Sequence, residues 1–71
     1  MTDSPVLHVR IDGWSREISL AELGVTSKAA GDTVKRAVAR FLEMPEEYLG
    51  DYVVDRHPTG NLTVRPQAVF G

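Results

Sequence analysis

The first part of the chain alternates between apolar and polar residues, as a half-buried β-strand does. Three apolar residues share one face of this strand: Leu7, Val9 and Ile11. Asp12-Gly13 follows, and this pair favours a type I′ turn because both residues tolerate positive φ. Residues 14–20 resemble a return strand, although Arg16 interrupts its apolar face. We therefore predict a β-hairpin over residues 5–20, with Arg16 near an open end of the sheet.

The pattern then changes to helical spacing. Ser19-Leu20-Ala21-Glu22 fits a capping box and Gly24 suits a helix end, which predicts one short turn over residues 20–23. A longer helix is predicted between Ser27 and Glu43, either from Asp32-Thr33 as the N-cap pair or from an earlier start. The buried stripe of this helix has the spacing i, i+3, i+4, i+7, i+8. It consists of Val34, Ala37, Val38, Phe41 and Leu42. Pro45 is expected to end the helix.

The last third predicts two more strands. Residues 45–48 allow one helical turn, residues 52–56 and 62–65 have strand character, and the Pro58 and Gly60 breakers mark the turn between the strands. Pro66 lacks an N–H and is expected to release residues 66–71 from the sheet as a tail. The order strand-strand-helix-strand-strand predicts a single two-layer α+β domain over residues 1–71.

Composition narrows the function classes. The chain has 71 residues and a net charge of −2, which argues against a general nucleic-acid binder. It has no cysteine, so disulfides and zinc-thiolate sites are excluded. No apolar run is long enough to cross a membrane, and no signal peptide is evident, so we expect a cytoplasmic protein. A domain this small needs most of its apolar residues for the core and has few left to line a deep pocket. We therefore expect a protein that is not an enzyme and binds no cofactor.

The element order resembles the β-grasp fold of ubiquitin-like proteins. The resemblance is carried by the opening hairpin, by Asp32-Thr33-Val34-Lys35 and Met44-Pro45 at the two ends of the helix, and by Leu62-Thr63-Val64-Arg65 before the tail. It implies a small modifier or carrier that contacts another protein, such as an activating or processing enzyme. The chain ends in Phe70-Gly71, where ubiquitin and the sulfur carriers typically end in Gly-Gly.

Under this resemblance, the Gly71 carboxylate is the candidate for activation and conjugation. Val69 and Phe70 are the candidates for docking in a groove of the partner, or they fold back onto the core. Trp14, just after the hairpin turn, is either a binding anchor or part of the sheet edge.

Two further groups of residues have weaker patterns. Lys35, Arg36 and Arg40, with Lys28 if the helix starts early, form a basic face that contacts an acidic partner or is simply solvated. Three consecutive polar residues could supply a general acid–base group: Asp55, Arg56 and His57. No sequence motif places a nucleophile beside them, so we predict no catalytic residues. His8 and His57 lack further ligands at zinc spacing, so no metal site is predicted.

Two function hypotheses follow. The first is a ubiquitin-like modifier that uses Gly71. The alternative is a non-covalent protein-interaction module, such as a small bacterial or phage accessory protein, without tail chemistry. Both are expected to be monomers that bind neither nucleic acid nor membrane, and they differ in whether residues 67–71 are exposed.

Overall fold

A four-stranded sheet with one helix across one face makes up this small α+β domain. The computed structural model describes residues 5–67. The elements in chain order are β1 (Val6–Ile11), β2 (Trp14–Ser19), α1 (Leu20–Leu23), α2 (Gly31–Phe41), a 3₁₀ turn (Glu46–Leu49), β3 (Tyr52–Arg56) and β4 (Leu62–Pro66). The sheet order is β2-β1-β4-β3, with β1 and β4 parallel and the other pairs antiparallel. The predicted α+β class and element order are confirmed.

The opening hairpin has the predicted two-residue turn. Ile11 pairs with Trp14, and the residues between them have positive φ, 48° at Asp12 and 86° at Gly13. The short helix α1 also follows the prediction, because the Ser19 hydroxyl accepts a hydrogen bond from the Glu22 N–H at 3.1 Å and Gly24 has a φ of 73°. Local turn chemistry therefore determines the first third of the fold.

The core lies between α2 and the inner face of the sheet. Its fully or nearly fully buried residues are Leu7, Val9, Ile11, Ile18, Leu20, Val34, Val38, Ala39, Leu49, Leu62 and Val64. The helix crosses the sheet from one edge to the other: Gly31 lies against Val54 of β3, and Phe41 lies beside Arg16 of β2. The central parallel pair is consequently buried beneath the middle of the helix.

The predicted helical stripe is wrong at Phe41. This residue is 37% exposed, whereas Ala39, which the stripe omits, is fully buried. The last turn of α2 has already crossed the core and extends toward the edge strand β2, so the ring lies at the rim. The Arg16 guanidinium carbon is 5.4 Å from the ring centroid, a cation–π contact that explains the interruption in the β2 alternation.

Both ends of α2 differ from the prediction. The helix begins at Gly31 with Ala30 as its N-cap, and Asp32 lies in the first turn, so the Asp32-Thr33 cap pair is wrong. At the other end Glu43 has a φ of 58°, its N–H bonds the Arg40 carbonyl at 3.2 Å, and the Met44 N–H bonds the Ala39 carbonyl at 2.9 Å. This is a Schellman motif, and it ends the helix before Pro45 is reached.

The chain stays in the sheet beyond the predicted start of the tail. Pro66 pairs with Tyr52, and the Gln67 N–H donates to the Asp51 carbonyl at 3.2 Å. The prediction that Pro66 leaves the sheet is therefore wrong. Val69, Phe70 and Gly71 lie outside the described residues.

The exposure of Phe41 changes the expected effect of its truncation. We predict that Leu49→Ala lowers the free energy of unfolding by about 2–5 kcal/mol, as truncation of a buried leucine does, and that Phe41→Ala lowers it by less. Urea denaturation of both variants measures this. A larger loss for Phe41→Ala than for Leu49→Ala would contradict the observed core.

The Schellman motif gives a second stability prediction. Glu43→Gly should raise the free energy of unfolding by about 0.5–1 kcal/mol, because glycine adopts the left-handed conformation without the cost of a Cβ. Glu43→Ala removes the same carboxylate but keeps the Cβ, so it should give no such gain. Equal urea midpoints for the two variants would count against the motif.

Candidate functional site

Large aromatic side chains are exposed at the end of the sheet that carries the hairpin turn and on the neighbouring β2 edge. Phe41 lies at that edge, beside Arg16 and in a hollow that Glu22 and Leu23 of α1 also line. Trp14 is 43% exposed, Phe41 37% and Tyr48 44%, and they are the exposed large apolar residues in the described part of the chain. Trp14 and Arg16 lie on the same face of β2, because they are two residues apart. We call Trp14, Arg16, Phe41 and Tyr48 the hairpin-end cluster.

A hydrogen bond from the 3₁₀ turn holds this end of the molecule together. The Tyr48 hydroxyl donates to the Asp12 carboxylate in the hairpin turn, and this bond raises the pKa of the Tyr48 phenol. The Tyr48 and Tyr52 rings are 6.3 Å apart between centroids. Burial, with a smaller effect of Asp12, raises the pKa of Tyr52 as well. Tyr48 therefore links the 3₁₀ turn to the hairpin turn.

The residues of the predicted basic face have different surroundings. The Lys35 ammonium donates to the Gly50 and Tyr52 carbonyls, both at 3.2 Å, and so fastens the loop before β3. Arg36 pairs with Glu46 at 3.6 Å, and both side chains are exposed. Arg40 is exposed beside Phe41 in a shallow hollow. Lys28 lies in the loop before α2 and is not part of the helix.

The polar run at the end of β3 forms cross-strand contacts. The Arg65 Nε donates to Asp55 Oδ2 at 2.6 Å, and this bond lowers the pKa of the Asp55 carboxyl, with burial opposing it. Arg56 donates to the carbonyls of Ser27, at 2.8 Å, and Ala29. Each of these charged groups holds two parts of the fold together.

Thr63 adds a contact that the sequence did not single out. Its hydroxyl lies 2.9 Å from Nε2 of His57, and Thr63 is directly opposite Asp55 in the ladder. A hydroxyl, an imidazole and a carboxylate are thus neighbours on the outer sheet face. Among the described residues the Asp55 carboxylate bonds Arg65 and no hydrogen bond joins it to the imidazole, so the carboxylate–imidazole contact that orients a catalytic base is missing from this arrangement. The arrangement is suited to strand pairing.

Within residues 5–67, no three histidine, aspartate or glutamate side chains lie close enough together to hold a metal ion. His8 lies opposite Glu17 on β1 and β2. None of the helices in this part of the chain combines the length and the apolar character needed to cross a membrane.

A groove opens beside the cluster, between the ends of the two central strands. The β1–β4 register ends at Val9↔Val64, after which β1 continues beside β2 alone and β4 beside β3 alone. Pro66 has no N–H with which to extend the central ladder. The space has a volume of about 370 Å³, and its lining includes Arg10, Trp14, Arg65 and Pro66. Arg10 and Arg65 were not predicted, because a register between strands 55 residues apart leaves no local signal.

Comparisons with known proteins give no assignment. No protein-family model, curated protein or solved structure matches the chain. The candidate site therefore has to be judged on its own geometry.

The Asp55–Arg65 pair predicts a dependence of stability on acid. Since the pKa of Asp55 is lower in the folded chain, the pair stabilises the fold above the unfolded pKa, about 3.9, and that contribution is lost as pH falls through the folded pKa. Urea midpoints between pH 7 and pH 2 should therefore fall less steeply for Asp55→Asn than for the wild type.

A matched set of variants isolates the pair. Arg65→Gln should flatten the same part of the profile, and the double variant should add little to either single change, because each removes the same interaction. Additive effects of the two substitutions would contradict a coupled pair.

Proposed function

We propose that this chain is a non-enzymatic, ubiquitin-like β-grasp domain that acts by binding another protein. The fold assignment is supported by the features on which the resemblance rests: an opening hairpin, one helix across one sheet face, and a last strand within the sheet. Fold alone does not specify function, so the proposal depends on the surface.

The observation that carries the proposal is the hairpin-end cluster. Eleven apolar residues of the described chain are buried, yet Trp14 and Tyr48 remain exposed at the hairpin end and Phe41 remains exposed at the neighbouring β2 edge. Tryptophan and tyrosine are enriched at the energetic centres of protein interfaces, because they contribute large contact areas with few rotatable bonds. Anchoring by the Tyr48–Asp12 bond reduces the entropy that such a surface would lose on binding.

The proposal is tested with a single substitution in the cluster. We expect affinity capture from the source cells, followed by calorimetry with the purified partner, to show that Trp14→Ala weakens binding by about tenfold or more. The melting temperature should change little, because Trp14 is half exposed. Lys28→Ala, exposed near the opposite end of the sheet, is the control and should bind as the wild type does. Equal affinity of Trp14→Ala and the wild type would refute the proposal.

The modifier and the non-covalent module share this surface and differ at Gly71. Purification of a tagged chain under denaturing conditions separates them. Covalent adducts that disappear when Gly71 is deleted would support the modifier, and binding without adducts would support the module.

A further inference from the structure

Two arginines, Arg10 and Arg65, lie on neighbouring strands in the groove beside Trp14. Arg10 and Arg65 follow the last paired residues of β1 and β4, so strand alternation places both on the face opposite α2. Both also line the groove. Like charges on neighbouring strands destabilise a sheet unless an anion lies between or beside them. The pair is therefore a candidate for recognising a negative group.

The carboxylates of the described residues accept hydrogen bonds from only some of the N–H donors of Arg10 and Arg65. Asp55 accepts one bond from Arg65, but a guanidinium has five N–H donors. In residues 5–67 no carboxylate forms an ion pair with Arg10. Asp12 also lines the groove and keeps its charge, but in the described residues no ion pair joins it to either arginine, and its carboxylate accepts the Tyr48 hydrogen bond instead. The groove therefore keeps cationic donors in a chain whose net charge is −2.

The rest of the lining is apolar or weakly polar. Trp14 pairs with the buried Ile11, and Pro66 follows the buried Val64 by two residues, so both lie on the α2 side of the sheet. The groove therefore passes round the strand ends, with the arginines on one side and the exposed, flat apolar surfaces of Trp14 and Pro66 on the other. Ser15, directly opposite Arg10, adds a hydroxyl. The volume of about 370 Å³ is enough for one or two side chains. An occupant that fits both parts of the lining has a carboxylate next to an apolar group.

We propose that this groove docks an acidic, apolar segment of the partner protein, in which a glutamate or aspartate carboxylate meets Arg10 and Arg65 while a neighbouring apolar side chain packs on Trp14 and Pro66. The inference rests on the proposed protein-binding function and names the chemistry of the partner. A protein carboxylate is favoured over nucleic acid, because polyphosphate binding needs a wider cluster of cations than two arginines.

The test is an NMR titration of the isotope-labelled chain with two blocked peptides, Gly-Ser-Leu-Glu-Leu-Ser-Gly and the same peptide with glutamine in place of glutamate. We expect saturable shifts confined to the groove, including the indole N–H of the single tryptophan. The glutamine peptide should bind about fivefold more weakly, the size expected for one partly exposed charge pair. Shifts elsewhere, no saturable shifts, or equal affinity of the two peptides would overturn the inference.

A variant and its control locate the charge contact. Arg10→Gln should weaken the glutamate peptide about fivefold and leave the glutamine peptide unchanged. Arg40→Gln removes the same charge from an exposed position on α2 and should have no effect. Equal effects of the two substitutions would show long-range attraction only and would overturn the docking site.

Three outcomes distinguish this inference from a general anion site and from the proposed function itself. Inorganic phosphate that produces the same shifts at equal concentration and displaces the peptide would identify a general anion site and reject the acidic protein segment. If the peptides fail while Trp14→Ala still abolishes binding of the captured partner, the docking inference fails and the proposed function stands. If Trp14→Ala leaves partner binding intact, the proposed function fails whatever the peptides do.

Discussion

One short helix has to cover a four-stranded sheet, and the rest of the structure follows from this constraint. The 11 residues of α2 give a helix of about 16 Å, while a six-residue strand extends for about 20 Å. Because a helix is only about 10 Å wide, it covers the middle of the sheet and leaves the strand ends to other parts of the chain. The crossing from β3 to β2 places the deepest contacts over the parallel central pair.

Loops complete the cover at both ends of the sheet. Leu20 from α1 and Leu49 from the 3₁₀ turn are buried in the same core as the helix residues. Lys35 fastens the loop that delivers Leu49, and Tyr48 bonds the hairpin turn across from it. Within residues 5–67 the hairpin end is still incompletely covered, so Trp14 and Tyr48 are exposed there. The groove opens at the same end, where the β1–β4 ladder stops.

The features predicted correctly from the sequence are those with local causes. Alternation, the Asp12-Gly13 turn and the Ser19 cap each depend on residues close together in the chain, and the structure has all three. The exposure of Phe41 depends on the direction in which α2 crosses the sheet, which helical spacing does not encode. Glu43 could not be recognised as a helix end, because glutamate in the left-handed region departs from the usual preference for glycine.

The residues of the candidate site also fall into those that the local sequence indicated and those that only the tertiary structure brings together. Trp14 was a candidate from its place after the turn, whereas Arg10 and Arg65 come together only through the parallel pairing of the first and last strands. Lys35 illustrates the converse, because its helical position suggested either a partner contact or a solvated face, and tertiary structure gave its ammonium two backbone carbonyls. Long-range register determined what the charged residues contact.

The central claim is that residues 5–67 leave the hairpin end of the sheet open and Trp14 exposed. The chain has a single tryptophan, so its intrinsic fluorescence reports on Trp14 alone. Acrylamide quenching of the native protein tests the claim most directly. The account predicts an emission maximum between those of buried and fully solvated indole, with quenching clearly above that of a buried tryptophan. A blue-shifted emission that acrylamide does not quench would contradict it.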